Sequence, residues 1–219
     1  MMHSALITGG SRGIGRAIKD LFESRDLKVY APSSKQLNLA DTQSIKAYTA
    51  TLDRVDILIN CAGINKLAHL EEASDELIQE MFQVNLFSNM QLIAAIVPKM
   101  KQNNYGRIVN FSSIWSRFSK NARVVYSSAK AGVSGLSMAL GVELSPYGIL
   151  TNAIAPGFIN TEMTAINNAP PLIESIKESL PIKRLGEPME VAELAYFLSV
   201  KNTYITGQTI FIDGGFSCV

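Results

Sequence analysis

The chain has 219 residues, of which 47% are hydrophobic, and its 20 basic and 19 acidic side chains leave a formal net charge of +1. A chain of this length and composition can bury a sizeable core, so we expect a single domain over residues 1–219. The near-neutral charge, with no basic stripe between aromatic residues, argues against nucleic acid as a partner. No apolar run reaches about 18 residues and the two cysteines are far apart, so we expect neither a membrane span nor a metal site.

Strand-like apolar runs alternate with helical patterns along the chain. The runs lie at residues 5–8, 28–30, 56–60, 107–111, 150–154 and 209–212, and helices are predicted at 14–24, 42–52, 75–101, 122–144 and 188–198. This alternation predicts an α/β fold with a parallel, doubly wound sheet of the Rossmann-like type. The first run begins at residue 5, which leaves no room for a secretory leader, so we expect a cytoplasmic protein.

A glycine-rich turn joins the first strand to the first helix. It reads Thr-Gly-Gly-Ser-Arg-Gly-Ile-Gly over residues 8–15. Glycines let the backbone approach a pyrophosphate closely, and the unpaired N–H groups of a helix N-terminus attract an anion. The residues expected to bind the phosphates of a dinucleotide are Gly9, Ser11, Arg12, Gly13, Ile14 and Gly15. Because the spacing departs from G-x-G-x-x-G, a purely structural turn is the alternative.

The segment after the second strand is short and contains no acidic residue. Residues 31–36 alone separate that strand from Leu37-Asn38-Leu39, whereas a parallel crossover normally needs about a dozen residues or more. We therefore expect a shortened crossover between the second and third strands and a more open adenine side. An NAD site usually has an Asp or Glu at the end of the second strand. Its absence favours NADP(H), with Ser33, Asn38 and Leu39 among the cofactor contacts, while NAD(H) stays possible.

Tyr126 and Lys130 lie four residues apart, and Ser113 follows the fourth strand-like run. Residues at this spacing share a helix face, and a nearby cation lowers the pKa of a phenol by about 1–3 units. Tyr126 would then be able to exchange a proton with a substrate oxygen. The spacing alone suits an ordinary amphipathic helix equally well. Ser112 is the alternative to Ser113 as the serine that acts beside Tyr126.

Taken in order, these motifs resemble those of the short-chain dehydrogenase/reductase family in its single-domain branch. The resemblance includes the glycine turn, Asn60-Cys61-Ala62-Gly63, Asn85, Ser113 and the Tyr126–Lys130 pair. It continues through residues 152–157, 184–188 and 205–208 to Asp213-Gly214-Gly215, and so covers nearly the whole chain. The carboxyl half is most similar to the 3-oxoacyl-carrier-protein reductases.

The resemblance implies a role for each matched residue. Tyr126 would protonate a carbonyl oxygen as hydride arrives from nicotinamide, Lys130 would hold the ribose and lower the Tyr126 pKa, and Ser113 would hydrogen-bond the same oxygen. Asn85 would fix a water that links Lys130 to solvent, unless it only kinks an apolar helix. Further implied cofactor contacts are Asn60, Ala62, Gly63, Pro156, Gly157, Ile159 and Thr161. A substrate lid is expected over about residues 157–180.

The implied activity is the NADP(H)-dependent reduction of a ketone to a secondary alcohol, or the reverse. Arg12 occupies a position where NADP-using relatives often carry a basic residue. Carrier-protein reductases tend to be basic at two positions that here hold Asn104 and Ala165, so a sugar or sugar-acid ketone, with NAD as cofactor, is an alternative to an acyl-carrier substrate. A protein that senses the dinucleotide without turnover is another alternative. By analogy, we expect a homo-oligomer, a dimer or tetramer, formed through the helices at 75–101 and 122–144.

Overall fold

The computed structural model describes residues 3–219 and confirms the predicted α/β fold. Six parallel strands form one sheet in the order β2-β1-β3-β4-β5-β6. The strands are β1 Ser4–Thr8, β2 Lys28–Tyr30, β3 Ile57–Asn60, β4 Gly106–Phe111, β5 Ile149–Pro156 and β6 Thr209–Ile212. Every predicted strand is present, with its ends shifted by two residues or fewer.

Helices connect the strands and cover both faces of the sheet. Within residues 3–219 the α-helices are α1 Gly13–Ser24, α2 Thr42–Ala50, α3 Asp75–Phe82, α4 Ser88–Gln102, α5 Val124–Leu144, α6 Glu162–Asn167, α7 Pro170–Ser179 and α8 Pro188–Tyr196. The single helix predicted at 75–101 is interrupted by a π-helical turn at Gln83–Phe87. Helices α6 and α7 were not predicted, since residues 157–180 were assigned only as a substrate lid; α6 buries no residue and α7 buries Ile176.

The core has two halves, one on each face of the sheet. Ile7 and Ile59 point toward α1 and α8, whereas Leu6 and Leu58 point toward α2, α4 and α5. Both faces are covered, which is why the strands are nearly continuous apolar runs. The α3–α4 helix, 28 residues over Asp75–Gln102, is apolar enough by composition to span a membrane, yet 44% of its most apolar window is buried inside the protein, as in a core helix.

The sheet ends at β2, as the shortened crossover predicts. Residues 31–41 form a loop without helix or strand. The Asn38 side-chain oxygen accepts a hydrogen bond from the Ala40 amide at 3.1 Å, and the Leu39 carbonyl accepts one from the Gln83 side chain at 3.0 Å. These bonds hold the loop against the π-helical turn and leave the carboxyl end of β1 open.

Polar residues follow one another across the carboxyl edge of the sheet. Thr8 of β1 is in register with Asn60 of β3, which is in register with Asn110 of β4. The strand order reverses between β1 and β3, since β2 lies on one side of β1 and all later strands lie on the other. Ligands of open parallel sheets bind at such a switch point, outside the carboxyl ends of the strands.

Candidate active site

A cleft of about 670 Å³ opens at this switch point. The predicted site residues that line it are Gly9, Ser11, Arg12, Gly13, Ile14, Gly15, Asn38, Leu39, Ala62, Gly63, Ser113, Tyr126, Lys130, Pro156, Gly157, Ile159 and Thr161. Three predicted site residues are not on its surface: Ser33, Asn60 and Asn85. The cleft thus joins the glycine turn, the ends of β3 to β5 and the first turns of α5.

The glycine turn is shaped by close backbone approaches. Gly9 has φ +74°, and a Cβ there would lie 2.9 Å from the Ala62 Cα. A Cβ on Gly15 would collide with the Gly9 carbonyl oxygen, so the first turn of α1 can pack against β1 only with glycine there. The turn therefore presents the N-terminal N–H groups of α1 to the cleft, which suits a phosphate.

Arg12 lies at the mouth of the cleft, and its guanidinium contacts Glu162 at the start of α6. Arg12 Nη1 and Glu162 Oε2 are 3.1 Å apart, and both side chains are about two-thirds exposed. Pro32 and Ser34 line the cleft beside them, whereas the Ser33 amide and hydroxyl both bind the Gln36 side chain, at 2.9 and 3.0 Å. The Ser33 side chain is thus held by Gln36, whereas Ser34 is on the cleft surface.

Tyr126 and Lys130 are both buried on α5, and their titration differs from the expectation. Burial raises the pKa of Tyr126 to about 12, an effect that a hydrogen bond from Ser113 and the charge of Arg123 only partly offset. Burial lowers the pKa of Lys130 to about 8. The Lys130 ammonium lies 5.7 Å from the Tyr126 ring centroid but donates its hydrogen bond to the Phe111 carbonyl, at 2.7 Å. The cation that lowers the Tyr126 pKa in this structure is Arg123, not Lys130.

The two serines after β4 have different environments. The Ser112 hydroxyl donates to the Lys130 carbonyl at 3.0 Å and shares a hydrogen bond with Ser134 at 2.9 Å. The Ser113 hydroxyl accepts from the Trp115 amide at 3.2 Å and also interacts with the Tyr126 phenol. Ser112 therefore ties β4 to α5, and Ser113 is the serine placed beside the phenol.

Asn85 lies directly behind the cleft, in the π-helical turn. Its side-chain oxygen accepts from the Ile64 amide at 3.2 Å, and its amide donates to the carbonyls of Ile64 at 3.0 Å and Met81 at 2.9 Å. A Cβ on Gly63 would lie 2.8 Å from the Asn85 oxygen and 3.5 Å from the Lys130 nitrogen. Only glycine at position 63 leaves room for both groups, so Asn85 and Lys130 flank the same short backbone segment.

Asn60 takes part in a buried chain of hydrogen bonds. Its amide donates to the Asn110 side-chain oxygen at 2.8 Å, and the Asn110 amide donates to Ser137 at 2.9 Å. This buried chain links β3, β4 and α5. Sequence reasoning also missed Thr8, which lines the cleft and whose hydroxyl accepts from the Ala62 amide at 3.1 Å. Its position as the last residue of a strand before the glycines was the available signal.

Comparisons with known proteins agree with this geometry. A family model described as enoyl-(acyl carrier protein) reductase matches residues 34–217. Acetoacetyl-CoA reductase from Rhizobium meliloti is 37% identical over 98% of each chain, and the 3-oxoacyl-(acyl-carrier-protein) reductase FabG from Vibrio cholerae is 34% identical over 96% of each. The solved structure of ElxO with NADP bound covers 100% of both chains with 29% identity and a TM-score of 0.91.

Proposed function

This chain belongs to the short-chain dehydrogenase/reductase family of oxidoreductases, and from that membership we propose that it reduces a ketone to a secondary alcohol with NADP(H), or catalyses the reverse reaction. One observation carries the proposal. Ser113, Tyr126 and Lys130 meet on one wall of the same cleft that the glycine turn lines. A hydroxyl, a phenol and an amine are thereby brought beside a dinucleotide-sized groove at a sheet switch point.

Each of the three side chains would do one part of the proton chemistry. Tyr126 donates its phenolic proton to the carbonyl oxygen, and Ser113 donates a hydrogen bond to that oxygen as negative charge develops. A phenol whose pKa is raised to about 12 holds its proton at neutral pH, as an acid must. Lys130, with its pKa lowered to about 8, exchanges protons near neutral pH and can restore the proton of Tyr126. NADPH, when bound, would supply the hydride.

The residues at the cleft fit NADP(H) better than NAD(H). The close backbone approaches at Gly9 and Gly15 form a cradle for the pyrophosphate. Beside it, Arg12 and Ser34 can hold a 2′-phosphate, and residues 31–35 contain no acid to repel it. The fold relative ElxO was solved with NADP bound, which supports the same choice.

Absorbance at the nicotinamide band tests the activity, with NADPH and NADH compared over acyl, sugar and other small ketones. We expect oxidation of NADPH with at least one class of ketone. The Tyr126→Phe change should lower kcat/KM by roughly 10² to 10⁴, the usual contribution of an acid catalyst, while the Kd for NADPH stays within a few-fold. A Tyr126→Phe protein with the wild-type rate would refute the assignment of the acid, and cofactor binding without turnover of any ketone would favour a sensing protein.

We also propose that the protein is a homo-oligomer formed through α4 and α5. These helices expose apolar side chains that a monomer would leave in water, including Met90, Met138 and Val142, which is 78% exposed. Light scattering during size-exclusion chromatography tests this proposal. The lid at residues 157–180 is likewise a proposal, supported by the position of Thr161, Glu162 and Met163 on the cleft wall.

A further inference from the structure

Arg123 is a buried cation without an anionic partner in the described part of the chain. It is only 6% exposed, and its guanidinium makes no ion pair or hydrogen bond with any of residues 3–219. Burial lowers the pKa of Arg123, although the guanidinium stays charged at neutral pH. Buried charges in proteins are normally paired, so this exception needs an explanation.

The surroundings of Arg123 place it beside the part of the cleft that Ser113 and Tyr126 line, although its own side chain is not among the lining residues. It begins α5 and lies three residues before Tyr126, with whose phenol it interacts electrostatically. Its Cζ is 4.8 Å from the centroid of the Trp115 ring, and Trp115 lies two residues after Ser113. A single cation–π contact offsets only part of the cost of removing a guanidinium from water. The arrangement therefore lacks the anion that would complete it.

Aromatic rings form a wall next to the guanidinium. Trp115 packs edge-to-face on Phe158 at 6.0 Å and on Phe216 at 6.1 Å, and Phe216 also contacts Phe118 at 5.6 Å, all between ring centroids. All four rings are partly exposed. This wall adjoins the cleft through Gly157, which precedes Phe158 in the chain and lines the cleft, while Phe158 itself lines a neighbouring smaller cavity. The wall offers an apolar surface to the carbon skeleton of a small molecule.

The backbone before Arg123 is strained in a way that supports a specific placement. Ala122 has φ +61°, in the left-handed region that a residue with a Cβ disfavours. Its carbonyl accepts a hydrogen bond from the Ala68 amide at 3.2 Å, which ties it to the loop after β3. Such strain persists where the surrounding structure requires it, and here it directs the chain into Arg123 at the start of α5.

Resting on the proposed function, we propose that Arg123 binds a carboxylate of the substrate, so that this enzyme prefers keto acids, or hydroxy acids in the reverse direction. A guanidinium presents a planar fork of N–H donors that matches a carboxylate with two parallel hydrogen bonds. The carboxylate would bind the edge of the guanidinium beside the aromatic wall, with the ketone of the same molecule at Ser113 and Tyr126. Arg123 is then a specificity-determining residue, distinct from the acid that serves every ketone.

Matched substrate pairs test this assignment. For a keto acid, its methyl ester and a phosphorylated ketone, kcat/KM is measured with NADPH on the wild type and on Arg123→Met, Arg123→Lys and Arg117→Met. The wild type should prefer the acid, and Arg123→Met should lower the acid-to-ester ratio by about 10- to 100-fold, mainly through KM for the acid. The acid-to-ester ratio of Arg123→Lys should lie between those of the wild type and Arg123→Met. Arg117→Met removes an exposed cation whose Cζ lies 5.9 Å from the Phe118 ring, and it should keep the wild-type ratio.

Several outcomes would overturn the assignment and leave the proposed function standing. One is a wild type that reduces ketones without preferring the acid, and another is a wild type that prefers the phosphorylated ketone. A third is an equal loss of kcat/KM for acid and ester in Arg123→Met, which would mark a structural role. Inhibition of the wild type by benzoate and by benzamide is a second measurement that does not depend on the folding of a variant. Benzoate should bind at least 10-fold more tightly, and equal binding would refute the carboxylate site. No NADPH oxidation with any ketone would instead refute the proposed function.

Discussion

Lys130 should make the stability of this protein rise with pH, and replacing it by methionine should remove that rise. Burial lowers its pKa from 10.5 to about 8. Between these two pH values, the unfolded chain binds a proton at this side chain and the folded protein does not. Stability increases with pH wherever the unfolded state binds more protons, so the contribution of Lys130 grows from pH 8 to pH 10.5.

The size of the effect follows from the shift in pKa. One pKa unit corresponds to about 1.4 kcal/mol, so the full shift is worth about 3 kcal/mol above pH 10.5, of which about 1 kcal/mol is gained between pH 7 and pH 9. Lys130→Met also removes the hydrogen bond to the Phe111 carbonyl, and the change of that bond with protonation is already included in the pKa of the folded state. Burial raises the pKa of Cys61 from 9.0 to about 12, so this thiol makes stability fall as the pH rises above 9. The comparison is therefore best confined to pH 9 and below.

Urea unfolding of both proteins without cofactor, at pH 7, 8 and 9, measures the effect. The free energy of unfolding of the wild type should increase by about 1 kcal/mol relative to Lys130→Met across this range, since other titrating groups cancel in the difference. Two parallel curves would show that Lys130 keeps an ordinary pKa in the folded protein. The account of Lys130 as a proton source near neutral pH would then be wrong.

Three further changes test other parts of the site. Glu162→Gln should tighten NADPH binding by roughly 2- to 5-fold, because it frees Arg12 from an exposed ion pair, and it should leave the Kd for NADH unchanged. Fluorescence titration measures both Kd values, and equal effects on them would contradict a 2′-phosphate at Arg12. Ser113→Ala should lower kcat/KM for ketone reduction by about 100-fold, and a wild-type value would exclude this hydroxyl from the reaction. Asn85→Ala should destabilise the protein by about 2–4 kcal/mol in urea, because the backbone N–H and C=O of the part-buried Ile64 both lose their partner. Asn89→Ala, which removes one hydrogen bond of 3.2 Å, is the matched control and should lower the free energy of unfolding by about 1 kcal/mol. A loss as large as that of Asn85→Ala would contradict this reasoning.

Features that depend on neighbouring residues were predictable from the sequence. The alternation of strands and helices, the glycine turn and the shared helix face of Tyr126 and Lys130 all follow from spacing along the chain, and the structure contains each of them. The end of the sheet at β2 was also predictable, because six residues cannot form a helix that returns the chain to the sheet at Leu37-Asn38-Leu39; residues 31–41 form a loop, and α2 then leads to β3. Helices α6 and α7 escaped prediction: α6 is six residues long and buries none of them, and Ile173 and Ile176 of α7 belong to a small cluster with Leu185, outside the main core.

Only the tertiary structure decided which distant groups meet. Asn60 forms a buried hydrogen bond with Asn110 because β3 and β4 pair in register, and Arg12 meets Glu162 because the start of α6 returns to the glycine turn. The sequence determined on its own the fold class and the position of the Tyr126–Lys130 pair, since both rest on short-range periodicity. The electrostatics of that pair depended on tertiary burial, which raises the pKa of Tyr126, lowers the pKa of Lys130 and leaves Arg123 beside the phenol. Burial is a property of packing between segments that lie far apart in the chain, so the sequence pattern did not show it.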